Sequence, residues 1–360
     1  MNNKKKIVFN DFVVKPEICN FSCDYCLSNE APKWIDMNNK SDALCYGKTT
    51  ELGKKLDSVI ERIDNAIDAS ILRISGGELF ALKNITDFLL ERTNYETIQV
   101  ITNGYFLTEN ILSELKKIPN CNIHISLDGH DLRLNGLRVK KESVQQRLLN
   151  NLNCAVEMGF HVEIGSVLST ANTAYFDEFL DYLMKYENKV TVYPFPVRGS
   201  ITSKFFPSKD AVESFSLILE NYDKYKGVLA HKSFIEQCVF LLEGKKKKLR
   251  CHIPALSIQS FDNGNITSCP NSWSSMIGNV NEISKEEMWE RMQNDRMAKL
   301  FLQPSPKIPF CKQCYTSLDI LNLYIEGFIS DDEMVAIPLY SSDETMKRIK
   351  EYKIFINNRG

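Results

Sequence analysis

The stretch CNFSCDYC, residues 19–26, sets Cys19, Cys23 and Cys26 within eight positions of one another. Thiolates hold zinc or iron–sulfur clusters. A structural zinc is closed by four ligands, and this loop offers no fourth nearby. A four-iron cube held by three thiolates keeps one iron open for a substrate or cofactor, much as a catalytic zinc keeps one position free. A second set comprises Cys251, Cys269, Cys311 and Cys314 and ends in CKQC, a spacing that lets two thiols grip one metal or cluster. Four thiols either close a zinc site or complete a [4Fe–4S] cluster.

These seven are drawn from eleven cysteines in 360 residues, too few for a disulfide scaffold in a chain this long. In a reducing compartment, clustered thiols read as metal ligands or redox groups. Cys45, Cys121, Cys154 and Cys238 are left over, and Cys121 and Cys154 are expected as small buried hydrophobes. Lys and Arg number 44 against 46 Asp and Glu, a formal net charge of −2, so nothing calls for nucleic acid or an anionic membrane. The opening MNNKKKIVFN is followed by no long apolar run or small-residue cleavage site, so it is not read as a signal peptide. No stretch reaches the roughly 18 apolar residues of a membrane span, and a cytoplasmic location is expected.

The elements that must position these thiols alternate. KIVFNDFVVKP reads as one or two short strands, and residues 27–50 as a long loop. Over 50–67, Leu52, Leu56, Val59, Ile60 and Ile63 recur at helical spacing. ILRISGGE, TIQVITNG, NIHISLDG, VEIGSVLS and KVTVYPFPV read as strands, with helices between them. Strand–helix alternation of this kind predicts an α/β fold with a parallel sheet, either an incomplete barrel or a doubly wound domain. In such folds the C-terminal strand ends build the site, and here they carry SGGE, TNG, SLDG, GS and PVRG. After residue 200 the rhythm breaks: 209–245 looks helical, and ALSIQSFDNGNITSC reads as a hairpin over DNG. The basic run GKKKKLR, 244–250, reads as a solvated turn, with a patch for an acidic partner as the other option. The tail from 331 is expected to form a helix over part of the core.

Cys19-x3-Cys23-x2-Cys26, with Tyr25 before the last Cys, resembles the signature of radical S-adenosylmethionine (SAM) enzymes, and Ser75-Gly76-Gly77-Glu78 resembles their glycine-rich SAM-binding strand end. The resemblance implies a partial (β/α)6 TIM-type barrel over about residues 8–200, with SAM on the open iron and Gly76, Gly77 and Glu78 near its amino group. It implies Asn103, Ser126, Asp128 and Ser166 as further cofactor-binding candidates, and Arg138 or Arg133 as a partner for the SAM carboxylate. Cys251, Gly264, Cys269, the turn Ile277-Gly278-Asn279-Val280, and Cys311-x2-Cys314 resemble the C-terminal extension of family members with auxiliary clusters. With no cysteine after Cys314, the extension resembles the shortened "twitch" form of the SPASM domain, which holds one auxiliary [4Fe–4S] cluster. Cys238 is a spare ligand candidate.

The expected organisation is a radical SAM barrel over 1–205, a helical linker over 206–250, an auxiliary-cluster domain over 251–330 and a helical tail over 331–360. The implied chemistry is reductive SAM cleavage to a 5′-deoxyadenosyl radical, fed by a flavodoxin- or ferredoxin-type donor. Cys19, Cys23 and Cys26 form the catalytic set. Two substrate classes stay open, a ribosomally made peptide or a small molecule such as a sugar or aminocyclitol. Peptide modification is the first reading, although the first strand begins almost at residue 1 and leaves no leader-binding domain ahead of it. A non-enzymatic zinc or iron–sulfur scaffold is the third class, and no cobalamin domain is seen. Tyr193, Phe195 and Arg198 end the sixth strand, where substrate would enter, while Asp319 and Glu326 are read chiefly as surface groups.

Overall fold

The computed structural model describes residues 4–26, 44–198, 203–271, 276–301, 303, 308 and 310–358. Most of the loop expected over 27–50 lies outside them. Strands β1 (Lys5–Val14), β2 (Ile67–Gly76), β3 (Thr97–Thr102), β4 (Cys121–Ser126), β5 (Val162–Leu168) and β6 (Val190–Pro196) pair in sequence order, all parallel. This is a partial TIM-type barrel, and the doubly wound alternative falls away because each new strand adds on the same side. The N-terminal segment is a single ten-residue strand.

Periodicity is borne out where it was strongest. The helix Glu51–Ala66 starts at Thr50, whose hydroxyl accepts from Gly53 N at 3.0 Å, and it buries Leu52, Leu56, Val59, Ile60 and Ile63. That stripe packs under β2, and the N-cap satisfies one of the otherwise unpaired N–H groups of the first turn.

Strands β7 (Ser257–Phe261), β8 (Asn265–Thr267) and β9 (Met276–Asn279) extend the same sheet, in the order β6-β5-β4-β3-β2-β1-β7-β8-β9. β7 runs parallel to β1, from Phe9 opposite Ser257 to Val13 opposite Phe261. β7 and β8 form the expected hairpin, with Gly264 in the left-handed region at φ +88°. The cysteine-rich C-terminal segment therefore covers the free edge of β1. The helix Asp343–Asn357 lies across the other end, where Arg348 donates to the Ile7 carbonyl at 3.0 Å and pairs with Asp68 at 3.0 Å.

Successive strand residues point to opposite faces. The outward faces bury Leu72, Ile74, Ile98 and Val100 under helices. The inward face carries a polar layer: Arg73 pairs with Asp11 at 2.7 Å and donates to Gln99, and Gln99 donates to Asn122 and Glu163. Buried polar groups are tolerable because they satisfy one another. This layer forms a floor, and the candidate site opens above it.

Candidate active site and second thiol site

The loop after β1 returns to the end of β2, and glycine makes that possible. A Cβ on Gly77 would lie 2.2 Å from the Ile18 carbonyl oxygen, and one on Gly76 would lie 2.1 Å from that of Val14. The close approach these glycines permit is thus the chain's own backbone as well as the cavity wall. Glu78 N donates to Ile18 O at 2.7 Å and clamps the loop just before Cys19.

One cavity of about 270 Å³ lies over the C-terminal strand ends. Cys19, Cys23 and Cys26 border it together with Tyr25, Gly76, Gly77, Asn103, Ser126 and Arg138. All three thiols are free of disulfides. Burial pushes the Cys19 thiol up to about 12, against a donated hydrogen bond from Phe21 N, and pushes Cys23 up as well. Asn103 Nδ2 donates to Asn20 Oδ1 at 2.8 Å and sits 3.9 Å from Cys19 Sγ.

Two predicted carboxylates stand behind this wall. Glu78 is buried and accepts from Thr102 Oγ1 at 2.7 Å, Asn103 N at 2.7 Å and Phe80 N at 3.1 Å, so it fixes the β3 end. Its burial raises the carboxyl's pKa, and the three donors oppose that rise. Asp128 accepts from Val167 N at 2.9 Å, from Arg138 Nη2 at 3.1 Å and from the Tyr25 hydroxyl. It holds both Tyr25 and Arg138 against the cavity. The choice between the two arginines is made by geometry: Arg138 lines the cavity, whereas Arg133 is half-exposed, pairs with Glu178 and lies over Tyr175.

Ser166 does not join this set. Gly165 and Val167 line the cavity, so the two-residue period turns Ser166 to the opposite face, where its buried hydroxyl has no hydrogen-bond partner among the described residues. Of the GS strand end, the sequence reading singled out Ser166 and passed over Gly165. A Cβ there would lie 2.3 Å from His124 Nε2, so the glycine makes room for a ring on the neighbouring strand. Knowing the inward register of β5 would have found it. Phe195 and Arg198 also line the cavity, while Tyr193 packs edge-on against Phe234 at 5.4 Å in the core.

Cys251, Cys269, Cys311 and Cys314 border a second, smaller cavity with Lys247, Asn271 and Asp319. Burial raises Cys251 to about 12 and Cys311 to about 11. Asn271 reaches two of the sulfurs: its N lies 3.4 Å from Cys269 Sγ and its Nδ2 3.5 Å from Cys314 Sγ. Cys238 is fully buried in the helix Lys232–Leu242 and does not border this cavity. Cys121 and Cys154, expected as small buried hydrophobes, are partly buried and pack against the core's margin. Two further expectations are corrected. Lys247, from the run read as solvated, is 3% exposed, and Asp319, read chiefly as a surface group, is also 3% exposed. Among the described residues, no three or more His, Cys, Asp or Glu side chains converge closely enough to grip a single metal ion. No helix among them is long and apolar enough to cross a membrane.

Residues 13–183 match the family model of the Radical SAM superfamily. The chain is 28% identical over 178 residues to a GTP 3′,8-cyclase of Helicobacter pylori, covering 48% of this chain and 50% of that one. It is 30% identical over 175 residues to a GTP 3′,8-cyclase of Campylobacter fetus, covering 47% and 49%. The chain thus spans about half the length of the curated relatives it matches. Among solved structures it resembles Streptococcus suis SuiB bound to precursor peptide SuiA, with TM-score 0.58, 14% identity, and coverage of 86% of this chain and 71% of that one. It also resembles anSMEcpe with bound AdoMet, with TM-score 0.57, 15% identity, and coverage of 86% and 87%. These structural likenesses speak for the fold.

Proposed function

We propose, on the match of residues 13–183 to the Radical SAM family model, that Cys19, Cys23 and Cys26 ligate a [4Fe–4S] cluster at which SAM is cleaved. One observation carries the reading: three thiols from one loop border the same cavity as Gly76, Gly77, Asn103, Ser126 and Arg138. When bound and reduced, the cluster supplies one electron to SAM, giving methionine and a 5′-deoxyadenosyl radical that takes a hydrogen atom from substrate.

The protein's part is placement and exclusion of water. In this reading Arg138, held by Asp128 through its Nε and Nη2, would pair with the SAM carboxylate. The Gly76–Gly77 backbone takes the SAM amino group, and Glu78 acts from behind by fixing Thr102 and Asn103. Asn103 and Ser126 offer polar contacts to the rest of SAM. Ser166 has no part in it.

Cys251, Cys269, Cys311 and Cys314 hold an auxiliary [4Fe–4S] cluster of the SPASM/twitch kind. The four thiols border one cavity and make up the all-thiolate donor set that such a cluster takes. Electron transfer to or from substrate is its role, with a flavodoxin- or ferredoxin-type protein as the external donor.

Peptide modification, oxidative or epimerising, is the substrate reading. It is supported by fold likeness, over 86% of this chain and 71% of the other, to a structure bound to its precursor peptide. The second reading, a small molecule, is favoured by the GTP 3′,8-cyclase relatives over the barrel half. The test is anaerobic incubation with SAM, reductant and panels of peptides, aminosugars and nucleotides, scoring 5′-deoxyadenosine and product mass. Iron near eight per chain with SAM cleavage supports the cluster reading. Zinc in place of iron, or no 5′-deoxyadenosine, overturns it.

A further inference from the structure

The run GKKKKLR supplies one lysine that is not solvated. The Lys247 side chain is 4% exposed and pairs with the Asp319 carboxylate, itself 5% exposed. Burying an ammonium costs several kcal/mol unless its donors and charge are matched. Here its Nζ also donates to the Cys314 carbonyl at 3.0 Å, and its backbone N donates to the Lys312 carbonyl at 2.9 Å. Asp319 accepts from Thr316 N and from Asn322 Nδ2, each at 2.8 Å, and Asn322 Oδ1 accepts from His252 N at 2.8 Å. One buried network therefore grips the backbone beside Cys251, Cys311 and Cys314.

Its charges also face the sulfurs. Lys247 and Asp319 border the cavity of the four thiols. A cube ligated by four thiolates is anionic, and reduction adds another negative charge. A buried cation beside it favours the reduced state, since cluster potential follows local charge, hydrogen bonding and burial.

We propose that Lys247 is the positioning residue of the four-thiol site, holding the Cys311–Cys314 loop and serving as the internal counter-charge that raises the reduction potential of the cluster bound there. This rests on the auxiliary-cluster reading above. The test uses the full chain, reconstituted anaerobically with iron and sulfide, as wild type, K247M, K247R and D319N. Iron is counted, and the second cluster is titrated electrochemically by electron paramagnetic resonance. Loss of the charge in K247M lowers the reduced-to-oxidised ratio at fixed potential at least tenfold, about 59 mV for one electron. K247R stays within threefold, and D319N shifts the ratio the opposite way. If K247M takes up only half the iron while K247R takes up all of it, the positioning role stands, and K247R against D319N reads the electrostatic one. Full iron with wild-type potential in K247M, or a D319N shift in the same direction as K247M, overturns the proposal alone. A wild type that binds only four irons overturns the auxiliary-cluster reading and this proposal with it.

Discussion

Gly77→Ala is the sharpest test of how the thiol loop is seated. The added Cβ would stand 2.2 Å from Ile18 O, 2.6 Å from Ile18 C and 3.0 Å from Pro16 O. All three atoms are backbone, so no side-chain rotation relieves the overlap. Ordinary carbon–oxygen contact needs roughly 1 Å more than the shortest of these, and the loop must move by about that much. Forcing extra volume into a packed site costs about 1–3 kcal/mol. The movement also breaks or stretches the 2.7 Å bond from Glu78 N to Ile18 O, worth about 0.5–1.5 kcal/mol. The sum is about 1.5–4.5 kcal/mol, spent next to Cys19. Urea unfolding of the apo-protein reads that loss, and iron content after anaerobic reconstitution reads its functional effect. We expect iron to fall by about half, with the four-thiol site still filled. If alanine only crowded SAM, iron would stay whole and KM for SAM alone would rise. Unchanged iron together with an unchanged unfolding midpoint would refute the argument that Gly77 seats the loop.

Replacing Cys19, Cys23 and Cys26 by alanine should remove about half the iron and abolish 5′-deoxyadenosine formation, whereas C311A/C314A should remove the other half; iron analysis and visible spectra of the two variants check this. Asp128→Asn leaves the largely buried Arg138 guanidinium without its carboxylate and should destabilise the fold by about 3–5 kcal/mol, measured by urea unfolding. Because Asp128 also holds Arg138 against the cavity, KM for SAM should rise in the same variant, and a destabilised enzyme with normal KM would remove Arg138 from the SAM reading. Gly165→Ala should cost about 1–3 kcal/mol through its overlap with the His124 ring, and His124→Ala in the same chain should recover part of it; additive losses in the double variant would show that the two residues do not meet.

The strand–helix alternation, the helix over 51–66 and the hairpin before Cys269 were legible because each is set by spacing within a few turns of chain. So was the grouping of Cys19, Cys23 and Cys26, since thiols within eight positions on one loop share a site in almost any fold. What the sequence left open depends on which face a residue turns and what packs over it. Ser166 and Gly165 are neighbours in sequence, and only the register of β5 decides that the glycine meets the cavity and the serine does not. Arg133 and Arg138 have equal chemistry, and only the packing of Asp128 behind the wall selects one of them. Four consecutive lysines look alike along the chain, yet one is drawn inside by a carboxylate 72 positions away. Local spacing by itself determined the elements and the grouping of Cys19, Cys23 and Cys26. Long-range burial decided which polar groups face those clusters, because the cost of burying a charge is met by partners that only the folded chain brings near.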